Sequence, residues 1–107
     1  MQQQPDLTDV FERITDAFVA LDKNWCYTYI NKKAGEIFNR DPATMIGKHI
    51  WTEFPEGKEQ AFYKAFYKAM EEQGYVYLEE YYPPYDLWLE NHIYPSPEGL
   101  SVLFISC

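Results

Sequence analysis

The chain has 107 residues, enough for one domain with a single hydrophobic core. Apolar residues make up 47% of it and aromatic residues 19%, which excludes a disordered chain. A net charge of −8 repels phosphate backbones and argues against nucleic acid as a partner.

Residues 1–6 are polar and read as a disordered N-terminus. They carry neither a basic region nor an apolar run, so neither a signal peptide nor a membrane segment is expected. Two cysteines, Cys26 and Cys107, form neither a disulfide framework nor a zinc pattern, and a cytoplasmic location is the expectation. Leu7, Val10, Phe11 and Ile14 recur at helical spacing and predict an amphipathic helix over 7–14. A helix this short needs a surface to pack on, either in its own domain or on a second copy.

Ala17 to Leu21 reads as a strand, Asp22-Lys23-Asn24 as a hairpin turn, and Trp25 to Ile30 as the returning strand. Asn31 is placed to cap the next helix, in which Ala34, Ile37 and Phe38 share a face. Gly35 weakens that helix and signals close packing. Asp41-Pro42 marks a further helix start, and Gly47 its end. His49 to Phe54 is a short helical or irregular piece. Glu56 to Gln73 predicts one long helix of about 27 Å. Phe62, Phe66, Ala69 and Met70 form its buried face, with Ala61 and Ala65 beside it, and Gly74 caps it.

Gly74 to Cys107 holds three aromatic and β-branched runs, separated by Pro83-Pro84-Tyr85-Asp86 and by Pro95-Ser96-Pro97-Glu98-Gly99. Such runs between turn-forming breaks predict an antiparallel meander. In the middle run Leu87, Leu89, Asn91 and Ile93 alternate with Trp88, Glu90, His92 and Tyr94, and the first set is the more apolar. The first set is expected to face the helices. Asn91 is its polar exception, and a buried amide needs a hydrogen-bond partner. The whole order predicts an α+β fold, an antiparallel sheet with helices covering one face.

The chain resembles a PAS domain of the kind found in bacterial and archaeal sensor histidine kinases, over roughly residues 7–106. The resemblance rests on Asp16-Ala17-Phe18-Val19-Ala20-Leu21-Asp22, on Trp25 to Ala34, and on Ile46-Gly47-Lys48-His49-Ile50-Trp51 with Phe54-Pro55. It continues through Glu80-Tyr81-Tyr82-Pro83-Pro84, Trp88-Leu89-Glu90, and Tyr94 to Val102. It implies a five-stranded antiparallel sheet of order 2-1-5-4-3, a single domain over 7–107, and a small cavity between helices and sheet. It also implies a sensory role, with dimerisation and an effector domain in the same chain. The usual Asp-Ile-Thr ending is replaced by Ser106-Cys107, which reads as a sensor lacking its output segment. In the implied strand order Cys26 and Cys107 lie about 9.6 Å apart, too far for a disulfide without movement.

The chemistry expected of relatives is restricted by particular residues. Lys48-His49-Ile50-Trp51-Thr52 lacks the cysteine that light-sensing relatives use for a covalent flavin adduct. The long helix contains no histidine for haem, leaving only His49 before it and His92 in a strand, and no metal site is expected. Asp86, His92 and Ser96 differ in facing and make no catalytic constellation. The cofactor is therefore left unknown, and no enzymatic activity is expected of this segment.

The function expected is a sensory module that binds a small molecule, dimerises, or does both, to control an attached effector such as a histidine kinase. Phe38, Met45, Ile50, Trp51, Phe62, Phe66 and Asn91 are the candidate ligand-binding residues. Val10, Phe11, Ile14, Trp88, His92 and Tyr94 are the candidate homodimer interface. A ligand-free association domain with a filled core is the first alternative. A small cone-like α+β enzyme or lipid carrier is the second.

Overall fold

The structure is a computed structural model that describes residues 16–83 and 86–106. The expected helix over 7–14, with Val10, Phe11 and Ile14, lies outside the described residues, as does Cys107.

Strands β1 (Ala17–Asp22), β2 (Tyr27–Ile30), β3 (Val76–Tyr82), β4 (Leu87–Ser96) and β5 (Gly99–Ser106) form one sheet of order β2-β1-β5-β4-β3. Every pairing is antiparallel. Helices α1 (Lys32–Phe38), α2 (Pro42–Met45), α3 (Ile50–Glu53) and α4 (Ala61–Glu72) lie between β2 and β3 in the chain. A 3₁₀ turn at Pro55–Glu59 precedes α4. Helix α1 packs against β1, and α4 packs against β3 and β4. The core lies between these helices and the inner sheet face, centred on Val19, Phe66, Ile93, Leu100 and Val102.

Alternation sets that inner face. Leu89, Asn91 and Ile93 are buried, whereas Trp88 and Tyr94 are exposed. The period-two reading of β4 therefore holds, because side chains alternate across a pleated strand. The helix starts follow local chemistry too. Asn31 Oδ1 accepts from Ala34 N–H at 2.9 Å, and Asp41 Oδ1 accepts from Ala43 N–H at 3.0 Å. Asn31 also ties α1 to β1, accepting from Phe18 N–H and donating to the Asp16 carbonyl, each at 3.0 Å.

Four expectations about the elements need correction. The strand after the first turn begins at Tyr27 rather than Trp25. Asp22 Oδ1 accepts from both Asn24 N–H and Cys26 N–H, which prolongs the turn. Trp25 adopts a left-handed φ of 66° and packs at a tilt against Tyr67, with ring centroids 4.4 Å apart.

The long helix is broken. Gln60 is extended (φ −95°, ψ 156°), so the 3₁₀ turn and α4 are separate elements. A side chain on buried Gly57 would lie 2.9 Å from the Phe62 ring, so the turn folds tightly back on α4. Ala61, as the first residue of α4, is exposed rather than packed beside the buried face.

The cap of α4 is Gln73, at φ 53°, instead of Gly74. Its side-chain amide donates to the Met70 carbonyl at 2.8 Å and to the Ser96 carbonyl at 3.3 Å, which offsets the left-handed backbone. Finally, β4 runs on through Pro95 to Ser96, with Pro95 opposite Leu100, so the second break shrinks to Pro97-Glu98.

Candidate functional site

A cavity of about 30 Å³ lies between the helices and the inner sheet face. It receives Tyr27 from β2, Phe38 from α1, Ile50 from α3, Phe54, and Phe62 from α4. The sheet contributes Glu80 and Tyr82 from β3, Leu89 and Asn91 from β4, and Phe104 from β5. The rings pack in contact: Phe38 meets Phe104 at 5.4 Å and Phe54 at 5.8 Å, and Phe62 meets Tyr82 at 5.8 Å. The volume admits about two water molecules, far below the several hundred Å³ of a typical ligand pocket.

The polar groups of the cavity are few. Asn91 is 2% exposed. Its Nδ2 faces the carbonyls of Leu89 and Leu78, at 3.3 and 3.4 Å. Those two acceptors fix the orientation of the amide, because turning it over would set Oδ1 against them. Asn91 Oδ1 is left buried with no hydrogen-bond partner among the described residues. Such an acceptor carries a desolvation cost until something donates to it.

Glu80 accepts from the backbone N–H groups of Ala61 and Phe62 at the start of α4. Burial pushes its carboxyl above the usual range, against these two N–H groups that pull it down. The Tyr82 hydroxyl donates to Glu56 at 2.9 Å.

Of the residues proposed from sequence to bind a ligand, Phe38, Ile50, Phe62 and Asn91 line this cavity. Met45, Trp51 and Phe66 do not; they are buried in the core around it. Trp51 packs against Phe62, Tyr63 and Phe66, with centroids 4.7–5.9 Å away. Glu80, Tyr82, Tyr27, Phe54 and Phe104 escaped the sequence reading. Alternation did carry a signal for Glu80, which falls on the face of β3 shared with Val76, Leu78 and Tyr82. The two histidines lie outside the cavity. His49 shares Nδ1 with the Thr52 hydroxyl at 3.3 Å, and His92 Nδ1 meets the Tyr75 hydroxyl at 2.7 Å.

The opposite face of the sheet carries a second feature. Tyr75, Tyr77, Tyr81, Trp88 and Tyr94 are exposed there on β3, β4 and the residue before β3. Tyr75 packs on Tyr94 at 5.1 Å, and Tyr81 on Trp88 at 5.5 Å. Glu79 lies opposite Glu90, and the Tyr77 hydroxyl reaches both carboxylates at 3.3 Å. His92 is half-buried among these rings.

A helix-covered antiparallel sheet of order 2-1-5-4-3 around a small aromatic cavity defines the class, an α+β domain. The PAS fold family matches residues 11–105, and the chain belongs to that family. Its structure is similar to a sensory box sensor histidine kinase from Vibrio cholerae. There the TM-score is 0.75 at 15% identity, over 94% of this chain and 89% of the other. It is similar to a domain of an HTR-like protein from Haloarcula marismortui, with a TM-score of 0.71 at 15% identity over 87% and 98% of the two chains. It also matches the PAS domain of nitrogen regulation protein NR(II) from Vibrio parahaemolyticus. That TM-score is 0.71 at 12% identity, over 97% and 100%. No curated protein matches the chain in sequence. At these identities the structural likenesses establish the fold alone. Among the described residues no helix is long and apolar enough to cross a membrane.

Proposed function

We propose that this domain senses a small molecule in the helix–sheet cavity and passes its state to an effector in the same protein, such as a histidine kinase. The observation that carries the reading is Asn91 Oδ1, an acceptor without a partner among the described residues, in a cavity that is aromatic and aliphatic apart from Asn91 and Glu80. A ligand that donates to it removes the desolvation cost only in the state where cavity and ligand fit, which is how binding shifts a two-state equilibrium. Phe62, only partly buried on α4, is the side chain whose movement would open the cavity and shift that helix. Screening small compounds by amide NMR tests this. Saturable shifts around Asn91 and Phe62, lost in Asn91→Ala, are expected. Failure of every compound to perturb these positions would refute it.

A second reading, association without a ligand, is favoured by the small volume of the cavity and by the exposed rings of the outer face. Trp88, His92 and Tyr94 then contribute to a homodimer contact, completed by Val10, Phe11 and Ile14. Sedimentation distinguishes it: a dimer that Trp88→Glu converts to monomer supports this reading, and a wild-type monomer at high concentration excludes it.

A further inference from the structure

We propose that the cavity is selective for a small organic cation, of the methylammonium class, held between aromatic rings, Asn91 Oδ1 and the Glu80 carboxylate. This rests on the ligand-sensing reading and adds the chemistry of the ligand.

The lining decides the sign of the charge. None of its residues is Lys, Arg or His, and one, Glu80, is acidic. Among the described residues Glu80 has no cationic partner; its hydrogen bonds come from two backbone N–H groups. An anion would meet this carboxylate with only two N–H donors to offset its charge, at a cost that grows as water is excluded.

The hydrogen-bonding capacity decides that the ligand is a donor. The Asn91 amide nitrogen is already directed at Leu78 and Leu89, and the Tyr82 hydroxyl at Glu56. What Asn91 still offers is the acceptor Oδ1. An ammonium group has donors only, and so satisfies it without presenting a lone pair that needs a donor of its own.

The rings supply the third element. Phe38, Phe54, Phe62, Tyr82 and Phe104 line the same space, and the negative face of an aromatic ring attracts a desolvated cation. Phe54 already takes part in such a contact, with the Arg40 guanidinium carbon 4.9 Å from its ring centroid. The cavity volume of about 30 Å³ limits the ligand to two or three heavy atoms unless Phe62 moves. Burial raises the Glu80 carboxyl, and a cation placed beside it would lower it again.

The test is an amide NMR titration of the isotopically labelled chain with methylammonium chloride. Methanol, sodium acetate and sodium chloride serve as neutral, anionic and ionic-strength comparisons. Methylammonium is expected to produce saturable shifts at Ala61, Phe62, Leu78 and Asn91. Glu80→Gln, which keeps an acceptor for the helix, should weaken binding at least tenfold. Asn91→Leu should abolish the shifts. Unchanged β5 signals show that each variant is folded. Saturable shifts with methanol or acetate but not methylammonium would overturn the cationic assignment and leave the sensing cavity standing. Methylammonium shifts that survive both substitutions place binding elsewhere and overturn the site. No shift with any of these compounds overturns the cationic assignment, while the sensing reading is decided by the wider compound screen.

Discussion

The Glu80 carboxylate caps a helix that begins 19 residues earlier in the chain, accepting from Ala61 N–H at 2.6 Å; it also accepts from Phe62 N–H at 3.2 Å. Residue Gln60, at the helix N-cap, supplies no side-chain bond of its own. The edge strand β3 thus satisfies the orphan donors of α4 and fixes where that helix starts over the cavity. Glu80→Ala should cost about 1 kcal/mol, the usual value of a lost N-cap. Urea denaturation would measure it, together with faster amide exchange in the first turn of α4.

The same residue gives a pH dependence of definite sign. Burial raises the Glu80 carboxyl, so the folded protein holds that proton more tightly than the unfolded chain does. The folded state then binds more protons than the unfolded state, and stability falls as pH rises from the usual carboxylate range through the raised value. Over that window the denaturation midpoint of Glu80→Gln should fall less steeply than that of the wild type. Parallel profiles would show that the carboxyl is not raised.

Asn31 is 1% exposed and joins Asp16, Phe18 and Ala34 through one side chain. Asn31→Ala removes a helix cap and leaves other polar groups at this junction without their partner. A loss of about 2–3 kcal/mol is expected. Equilibrium denaturation measures it, and hydrogen exchange should show weakened protection at Phe18 and Ala34.

Gly35 presents a case where local propensity and packing disagree. Alanine is favoured over glycine inside a helix by about 1 kcal/mol. Yet a Cβ there would stand 2.7 Å from the Arg40 carbonyl oxygen and 2.8 Å from Pro42 Cγ. Packing wins, and Gly35→Ala should destabilise by about 1–3 kcal/mol, the range for an overfilled contact. A raised thermal midpoint in this variant would contradict the close approach of α1 and Pro42.

Tyr77 probes the outer face. Reduced hydration, then the negative charges of Glu90 and Glu79, push its phenol up to about 12. Ultraviolet titration of wild type minus Tyr77→Phe isolates this group among the ten tyrosines. Glu90→Gln should move the transition down toward the ordinary tyrosine value. A transition unaffected by that change would mean that the phenol and Glu90 do not meet.

Much of the fold was legible because its signals are local. The alternation of Leu89, Asn91 and Ile93 with Trp88, His92 and Tyr94 assigned both faces of β4 correctly. Asn31 and Asp41 sit where cap chemistry put them. The cavity was legible only in part. A helical stripe named Phe62 and Phe66 together, but Phe62 meets the cavity and Phe66 the core behind it. Helical periodicity defines a direction from the axis, whereas a cavity wall is what remains after several elements have packed.

By itself, then, the sequence determined the antiparallel sheet, its covered face and the place of Asn91 upon that face. Alternation, turn residues and caps act within a few residues of one another, and each is written in the chain. The PAS strand order followed from the resemblance and is present in the structure. Only the tertiary structure decided that the long helix breaks at Gln60, that Glu80 caps its second part, and that the enclosed space is about 30 Å³. The reason is physical. A cap donated across 19 residues, and a void bounded by three helices and four strands, depend on relative position in space.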